Sequence, residues 1–188
     1  MLNQKIILAS QSPRRKQLLE WAAIDCEIIV SDTDESYPAG LSFEETAIHI
    51  ARNKALAVAA RHEQTIPILA ADTIVVCENE IIGKPTSRED AIRILEKLSG
   101  KTHHVITAVV ILSGKTESSF ADKTEVVFHP LTKDQLIYYV DNYKPYDKAG
   151  AYAIQEWIGV VGIKSISGDF YNVMGLPVSR VVQHLSRL

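Results

Sequence analysis

Short apolar runs alternate along the chain with segments in which apolar residues recur at the spacing of one helix face. The apolar runs are predicted to be strands, at residues 5–9, 26–31, 66–77, 103–112 and 117–128. The periodic segments are predicted to be helices, at residues 13–22 and 43–62, after the helix-start sequences at 87–90 and 132–135, and after residue 177. This alternation of strands and helices indicates an α/β fold.

The first helix follows directly on a strand, and its start carries hydroxyl groups and cations. Ser12 is placed to cap the helix and Pro13 to occupy its first turn. A helix start offers backbone N–H groups and a positive dipole end, so Ser10 and Ser12 with Arg14 and Arg15 favour a polyphosphate ligand. The alternative is a merely solvated basic turn. Cations are unfavourable at a helix N-terminus, which favours the phosphate interpretation.

Lys54 interrupts the apolar face of the second helix. At 100° per residue, Ala47, Ala51, Lys54 and Val58 lie on one stripe of this helix. The lysine either extends its stem along the apolar face to reach solvent, or points into a cleft as a phosphate ligand. The sequence leaves both interpretations open.

Asp72 lies in an otherwise apolar strand. An unpaired carboxylate is costly in such a strand, so Asp72 needs a metal, a lysine or a bulge in which backbone N–H groups bind it. A functional role is favoured because buried acids cluster at active sites. Asp32, Asp34 and Glu35 follow the second strand and either hold a divalent cation or form a solvated acidic loop.

Two later segments carry further candidate ligands. A turn at 83–85 follows a short apolar pair and could bring Lys84 beside Asp72. The segment 147–155 consists largely of small residues and ends in the amide of Gln155. It is interpreted as the wall of a close-fitting pocket, or alternatively as a packed strand.

Composition limits the classes of function. With 188 residues, of which 46% are hydrophobic, the chain can bury the core of one domain. A net charge of -3 gives no global basic field for polymeric nucleic acid, so the charge favours small phosphates. Cys26 and Cys77 have no disulfide or zinc-site spacing, and no apolar run suits a membrane span or a signal sequence. We therefore expect a cytoplasmic protein that does not bind membranes.

Several motifs follow one another in a fixed order along the chain. They are LASQSPRR at 8–15, Glu35, Lys54, ADT at 71–73, GKP at 83–85, DKAGAY at 147–152 and GLP at 175–177. In this order and spacing they resemble the Maf family of nucleotide pyrophosphatases over nearly the whole chain. The resemblance implies an elongated, curved mixed sheet flanked by helices, similar to that of inosine triphosphate pyrophosphatases. It also implies one domain over residues 1–188, with two lobes around a central cleft, and a homodimer.

Three positions indicate a branch within this family. Arg14, Thr73 and Gln155 resemble the branch that cleaves dTTP and UTP. The branch acting on 7-methyl-GTP carries a Trp near Arg14, a Gln in place of Thr73 and a different segment around Gln155. None of those alternatives is present in this sequence.

The resemblance implies hydrolysis of a pyrimidine triphosphate to the monophosphate and pyrophosphate, a house-cleaning of nucleotide pools. Asp72 would activate water and, with Glu35, bind Mg²⁺ or Mn²⁺. Residues expected to hold the triphosphate are Ser10, Ser12, Arg15, Lys54 and Lys84, and those expected to select the base are Arg14, Thr73 and Gln155. Two alternatives stay open: a nucleotide-binding regulator of septum formation without significant turnover, and a purine-preferring pyrophosphatase of the same fold.

Overall fold

The computed structural model describes residues 5–30, 33–62 and 66–187. Its strands are β1 (Ile6–Leu8), β2 (Cys26–Ile28), β3 (Ile68–Cys77), β4 (Glu80–Ile82), β5 (Thr102–Ser113), β6 (Thr116–Phe128) and β7 (Ile163–Ser167). Its helices are α1 (Pro13–Trp21), α2 (Phe43–Ala59), α3 (Arg88–Leu98), α4 (Lys133–Tyr143), α5 (Trp157–Gly162), α6 (Phe170–Met174) and α7 (Val178–Leu185), with a 3-10 turn at Ala149–Ala151. Every predicted strand and helix is present.

The strands form one mixed sheet, which within the described residues has the order β2-β1-β3-β5-β6-β7, with β4 paired to β3. β1 runs parallel to β2 and β3, whereas β4 is antiparallel to β3 and β7 to β6. A mixed sheet combined with helices confirms the predicted α/β class. Among the described residues, no helix combines the length and apolar character needed to cross a membrane.

Local capping chemistry starts the helices where the sequence predicts. Ser42 accepts a hydrogen bond from the N–H of Glu45, whose carboxylate accepts one from the N–H of Ser42. Thr132 and Gln135 form the same reciprocal pair at the start of α4. Each box satisfies N–H groups that the helix itself leaves open.

The chain divides into two compact units. The first lies within residues 1–72, 107–122 and 175–188, and the second within 73–106 and 123–174. Fully buried side chains of the first unit include Ile6, Leu8 and Leu19, and those of the second include Leu95 and Tyr139. The division falls within β3, between Asp72 and Thr73. Two lobes around a central cleft stay a prediction.

The second strand is shorter than predicted. β2 ends at Ile28, although the N–H of Ile29 still donates to the carbonyl of Leu8 at 3.1 Å. Residue 31, the predicted end of this strand, and Asp32 of the acidic cluster lie outside the described residues.

Candidate active site

Helix α1 begins as the sequence predicts, with Ser12 in extended conformation before it and Pro13 in its first turn. Within the described residues, the Ser12 side chain makes no capping hydrogen bond. Its backbone N–H instead donates to Oγ of Ser10, which is itself buried, at 3.2 Å. The hydroxyl of Ser10 therefore lies against the start of the helix, where backbone donors and the helix dipole favour an anion.

Arg15 is buried rather than solvated. Its Nε donates to the carbonyl oxygen of Gly175 at 2.9 Å, and its Nη1 donates to Oγ of Ser10 at 3.0 Å. Gly175 has a φ of 118°, a conformation that L side chains rarely adopt. Gly175 was not among the predicted site residues, although its place in the GLP motif was a signal that could have identified it. The solvated-turn interpretation is wrong for Arg15, and Arg14 is half-buried.

The electrostatic surroundings of Arg15 connect it to the predicted acids. Burial is the largest influence on its guanidinium and lowers the pKa. The carboxylates of Asp72 and Glu35 raise this pKa, and the positive charge of Arg14 lowers it. A guanidinium stays charged in such surroundings because its ordinary pKa is so high. The first unit therefore holds a buried, fixed positive charge within electrostatic range of Asp72 and Glu35.

Lys54 lies on the predicted apolar stripe of α2, between the buried Ala51 and Val58. Its Nζ donates to Oδ1 of Asp72 and to Oε1 of Glu35, both at 2.7 Å. Only 13% of its side chain is exposed. The lysine therefore bridges two carboxylates and does not extend into solvent.

Asp72 obtains the lysine partner that was one of its three predicted options. It is buried within the ten-residue strand β3, and its side chain is 11% exposed. Lys54 supplies the charge that makes this burial tolerable. Both acids assigned to the metal, Asp72 and Glu35, converge on the same ammonium group.

Asp72 and Glu35 provide the carboxylate oxygens that a hard divalent cation prefers. Within the described part of the chain, no group of three or more His, Cys, Asp or Glu residues could hold a metal. Mg²⁺ commonly uses one or two protein carboxylates together with water and other oxygen ligands, so the chemistry of Asp72 and Glu35 is compatible with the predicted metal, which stays a prediction. Asp34 accepts a hydrogen bond from the N–H of Ser36 at 3.1 Å, which holds it in a local turn.

Thr73, Lys84 and Gln155 belong to the second unit. Thr73 follows Asp72 directly along β3, and the Lys84 side chain is exposed beyond β4. The carbonyl of Gly83 accepts a hydrogen bond from the N–H of Gly150 at 3.2 Å, which joins the GKP and DKAGAY motifs. The sequence did not predict this contact. The placement of Lys84 beside Asp72 stays a prediction.

The segment 147–155 is a tightly packed turn and not a strand. Gly150 has a φ of 71°, and a Cβ at this position would lie 3.0 Å from Val75 Cγ2. The Tyr152 hydroxyl lies 2.8 Å from Nε2 of His103, and both side chains are buried. The turn therefore has no room for a side chain at position 150, where its backbone packs on Val75. Gln155, at the end of the turn, is exposed.

Comparisons with known proteins agree with this arrangement of motifs. A family model described as Maf-like protein matches residues 5–188. A dTTP/UTP pyrophosphatase of Cytophaga hutchinsonii is 52% identical over 99% of this chain and 85% of that protein. A dTTP/UTP pyrophosphatase of Bacteroides fragilis is 47% identical over 98% of this chain and 96% of that protein.

A weaker likeness exists among solved structures. The Ham1 protein of Staphylococcus aureus matches with a TM-score of 0.45 and 16% identity, over 66% of this chain and 72% of that chain. The α/β assignment rests instead on the observed strands and helices. Because the family model spans nearly the whole sequence and relatives near half identity cover it equally, the chain belongs to the Maf family.

Proposed function

We propose that this protein is a metal-dependent pyrophosphatase that hydrolyses dTTP and UTP to the nucleoside monophosphate and pyrophosphate. The observation that carries the proposal is the ammonium of Lys54 bridging Asp72 and Glu35. The buried guanidinium of Arg15 lies within electrostatic range of the same acids. The names of the Cytophaga and Bacteroides relatives support the choice of substrate.

The first unit supplies charge neutralisation and positioning for the triphosphate. Arg15 is held on two sides by Gly175 and Ser10, so its guanidinium needs little reorganisation when an anion binds. Ser10 and Ser12 add hydroxyl groups at the start of α1. Phosphoryl transfer depends mainly on such positioning and charge stabilisation, with little covalent work by the protein.

Asp72 would orient the attacking water and accept its proton. Its carboxylate accepts a hydrogen bond from Lys54 at 2.7 Å, which fixes one oxygen and leaves the group oriented to act as this base. With Glu35, Asp72 would also hold Mg²⁺ or Mn²⁺, which supplies Lewis-acid neutralisation of the phosphate oxygens. Lys54 would then exchange one carboxylate for a phosphate oxygen, in accord with its predicted role as a phosphate ligand.

Recognition of the base is assigned to Arg14, Thr73 and Gln155. The amide of Gln155 can donate to O4 and accept from N3–H of uracil or thymine. Lys84 is assigned to the triphosphate. A homodimer is a further proposal, supported by the family resemblance. A cytoplasmic location is also proposed, because the thiols of Cys26 and Cys77 are free, as is usual in a reducing compartment.

A nucleotide panel with product identification tests the proposal. UTP, dTTP, CTP, ATP, GTP and ITP are offered with Mg²⁺ or Mn²⁺, and the products are separated. We expect rapid conversion of UTP and dTTP to monophosphate and pyrophosphate. Binding without pyrophosphate release would instead support a regulatory nucleotide sensor. Faster cleavage of purine triphosphates would support a purine-preferring enzyme, and release of diphosphate and orthophosphate would refute the proposed bond cleavage.

A further inference from the structure

One buried hydroxyl holds the chain on both sides of Gln155. The Tyr139 side chain, fully buried on α4, accepts a hydrogen bond from the backbone N–H of Ala153 at 3.1 Å. The same hydroxyl donates to Oε2 of Glu156. Ala153 and Glu156 flank Gln155 at two residues before it and one residue after it. The hydroxyl of Tyr139 therefore connects the residues on the two sides of Gln155 through two hydrogen bonds.

Two further contacts hold the same stretch. Nζ of the buried Lys148 lies 3.6 Å from Oε1 of Glu156 and 2.8 Å from Oδ1 of Asp147. Gly159 packs so closely on the preceding turn that a Cβ added there would overlap the carbonyl oxygen of Ile154. Residues before and after Gln155 are thus held by other groups of the second unit, and the backbone of α5 packs directly against the carbonyl of Ile154.

Gln155 itself is exposed at the end of this anchored turn. A flexible amide on a mobile loop would lose considerable conformational freedom on binding a base. Anchoring the backbone removes part of that loss before the ligand arrives, which favours binding and a single amide orientation. The discrimination between uracil and cytosine depends on such a single orientation, because a flipped amide matches the wrong base.

We propose that Tyr139 is a positioning residue for base recognition, whose hydroxyl fixes the turn from which Gln155 presents its amide to the pyrimidine. The inference rests on the proposed function, in which Gln155 contacts the base. Tyr139 does not touch the nucleotide and acts on Gln155 through Ala153 and Glu156. Its removal should therefore change binding and base choice more than the chemical step.

The test variant is Tyr139→Phe, which removes one hydroxyl and keeps the buried ring. Its matched control is Tyr143→Phe, one turn further along α4, where the ring stacks on that of Tyr139 at 5.1 Å. Within the described residues, the Tyr143 hydroxyl makes no hydrogen bond to the turn that carries Gln155. Gln155→Ala is measured in parallel, and kcat and KM are determined for UTP and CTP with each protein.

For Tyr139→Phe we expect KM for UTP to rise about 3-fold to 10-fold, the size of one lost hydrogen bond, with kcat changed by less than about 2-fold. CTP should be affected less, so the ratio of kcat/KM for UTP over CTP falls. Amide hydrogen exchange at Ala153 should also become faster. Tyr143→Phe should match the parent in all three measurements. If Tyr139→Phe does not fold, Glu156→Ala removes the other partner of the hydroxyl and should shift the ratio in the same direction.

The outcomes separate the two proposals. If Gln155→Ala lowers the UTP/CTP ratio but Tyr139→Phe and Glu156→Ala leave it unchanged, the positioning role is refuted and the proposed function stands. A common loss on both nucleotides in Tyr139→Phe, without a change in their ratio, would mean a merely structural tyrosine and would also refute the role. If the parent does not cleave UTP, or Gln155→Ala leaves the ratio unchanged, base reading by Gln155 fails and the positioning role fails with it.

Discussion

Replacing Lys54 by methionine tests how much the ion pairs of Lys54 with Asp72 and Glu35 contribute to the free energy of unfolding. Methionine keeps an unbranched apolar stem on the stripe of α2 and removes the ammonium group. From the stripe alone, an apolar residue at this position should be neutral or favourable for stability. The observed contacts reverse that expectation, because Asp72 would lose its donor at 2.7 Å while remaining buried.

The two acids should respond differently to the loss of Lys54. The side chain of Glu35 is 50% exposed and can be solvated by water, whereas that of Asp72 is 11% exposed. Removing one partner of a fully buried ion pair costs about 3 to 5 kcal/mol. Arg15 still attracts Asp72, and methionine packs well on the stripe, so we expect a loss of about 2 kcal/mol in the free energy of unfolding.

The assay is urea unfolding at pH 7 of the parent, Lys54→Met, Asp72→Asn and the double variant. Loss of the pair should make the double variant less destabilised than the sum of the single variants, with a coupling of about 1 to 3 kcal/mol. Lys101→Met is the matched control. Lys101 pairs with Glu78 at 2.8 Å, but both side chains are well exposed, so its loss should leave the unfolding midpoint close to that of the parent.

The same variants separate stability from function. Lys54→Met should lower pyrophosphate release from UTP about 100-fold or more under conditions where it is fully folded, because the proposed phosphate ligand and the partner of the proposed general base are both lost. Additive stabilities within about 0.5 kcal/mol, or a Lys54→Met protein as stable as the parent, would refute the reasoning about the buried pair.

Three further predictions concern the general base Asp72, nucleobase recognition by Gln155 and the pH dependence of stability through His103. Asp72→Asn should reduce turnover about 100-fold or more while UTP binding by calorimetry survives, and activity within a few-fold of the parent would remove Asp72 from its role. Gln155→Ala should lower kcat/KM for UTP and dTTP about 5-fold to 150-fold and for CTP much less, whereas one common factor would argue against base reading. Burial, with a smaller effect of His104, lowers the pKa of His103 to about 4. The unfolded chain, with an ordinary pKa near 6.5, then binds more protons between those two values, so stability should fall by about 3 kcal/mol as pH drops from 7 to 4. Urea unfolding across that range should show the loss in the parent and much less of it in His103→Phe.

Features that depend on near neighbours in the chain were determined by the sequence itself. The capping boxes at Ser42 and Thr132 formed because their partners lie three residues away on the same helix. The stripe that carries Lys54 follows from helix periodicity alone. The alternation of strands and helices was also sufficient for the α/β class, because each element needs a partner for its apolar face. The end of β2 was missed because strand length depends on pairing as well as on the apolar run.

The contacts that define the candidate site were decided by the tertiary structure. Arg15 finds its carbonyl partner at Gly175, which is 160 residues away in the chain. From the sequence, Lys54 could either extend to solvent or bind phosphate. In the fold its ammonium group contacts Asp72 and Glu35. The hydroxyl of Tyr139 gave no sequence signal, because a buried tyrosine in a helix looks like any core residue until its partners are known. Spacing along the chain sets which side chains share a face, but only the path of the chain brings distant donors and acceptors within hydrogen-bond distance.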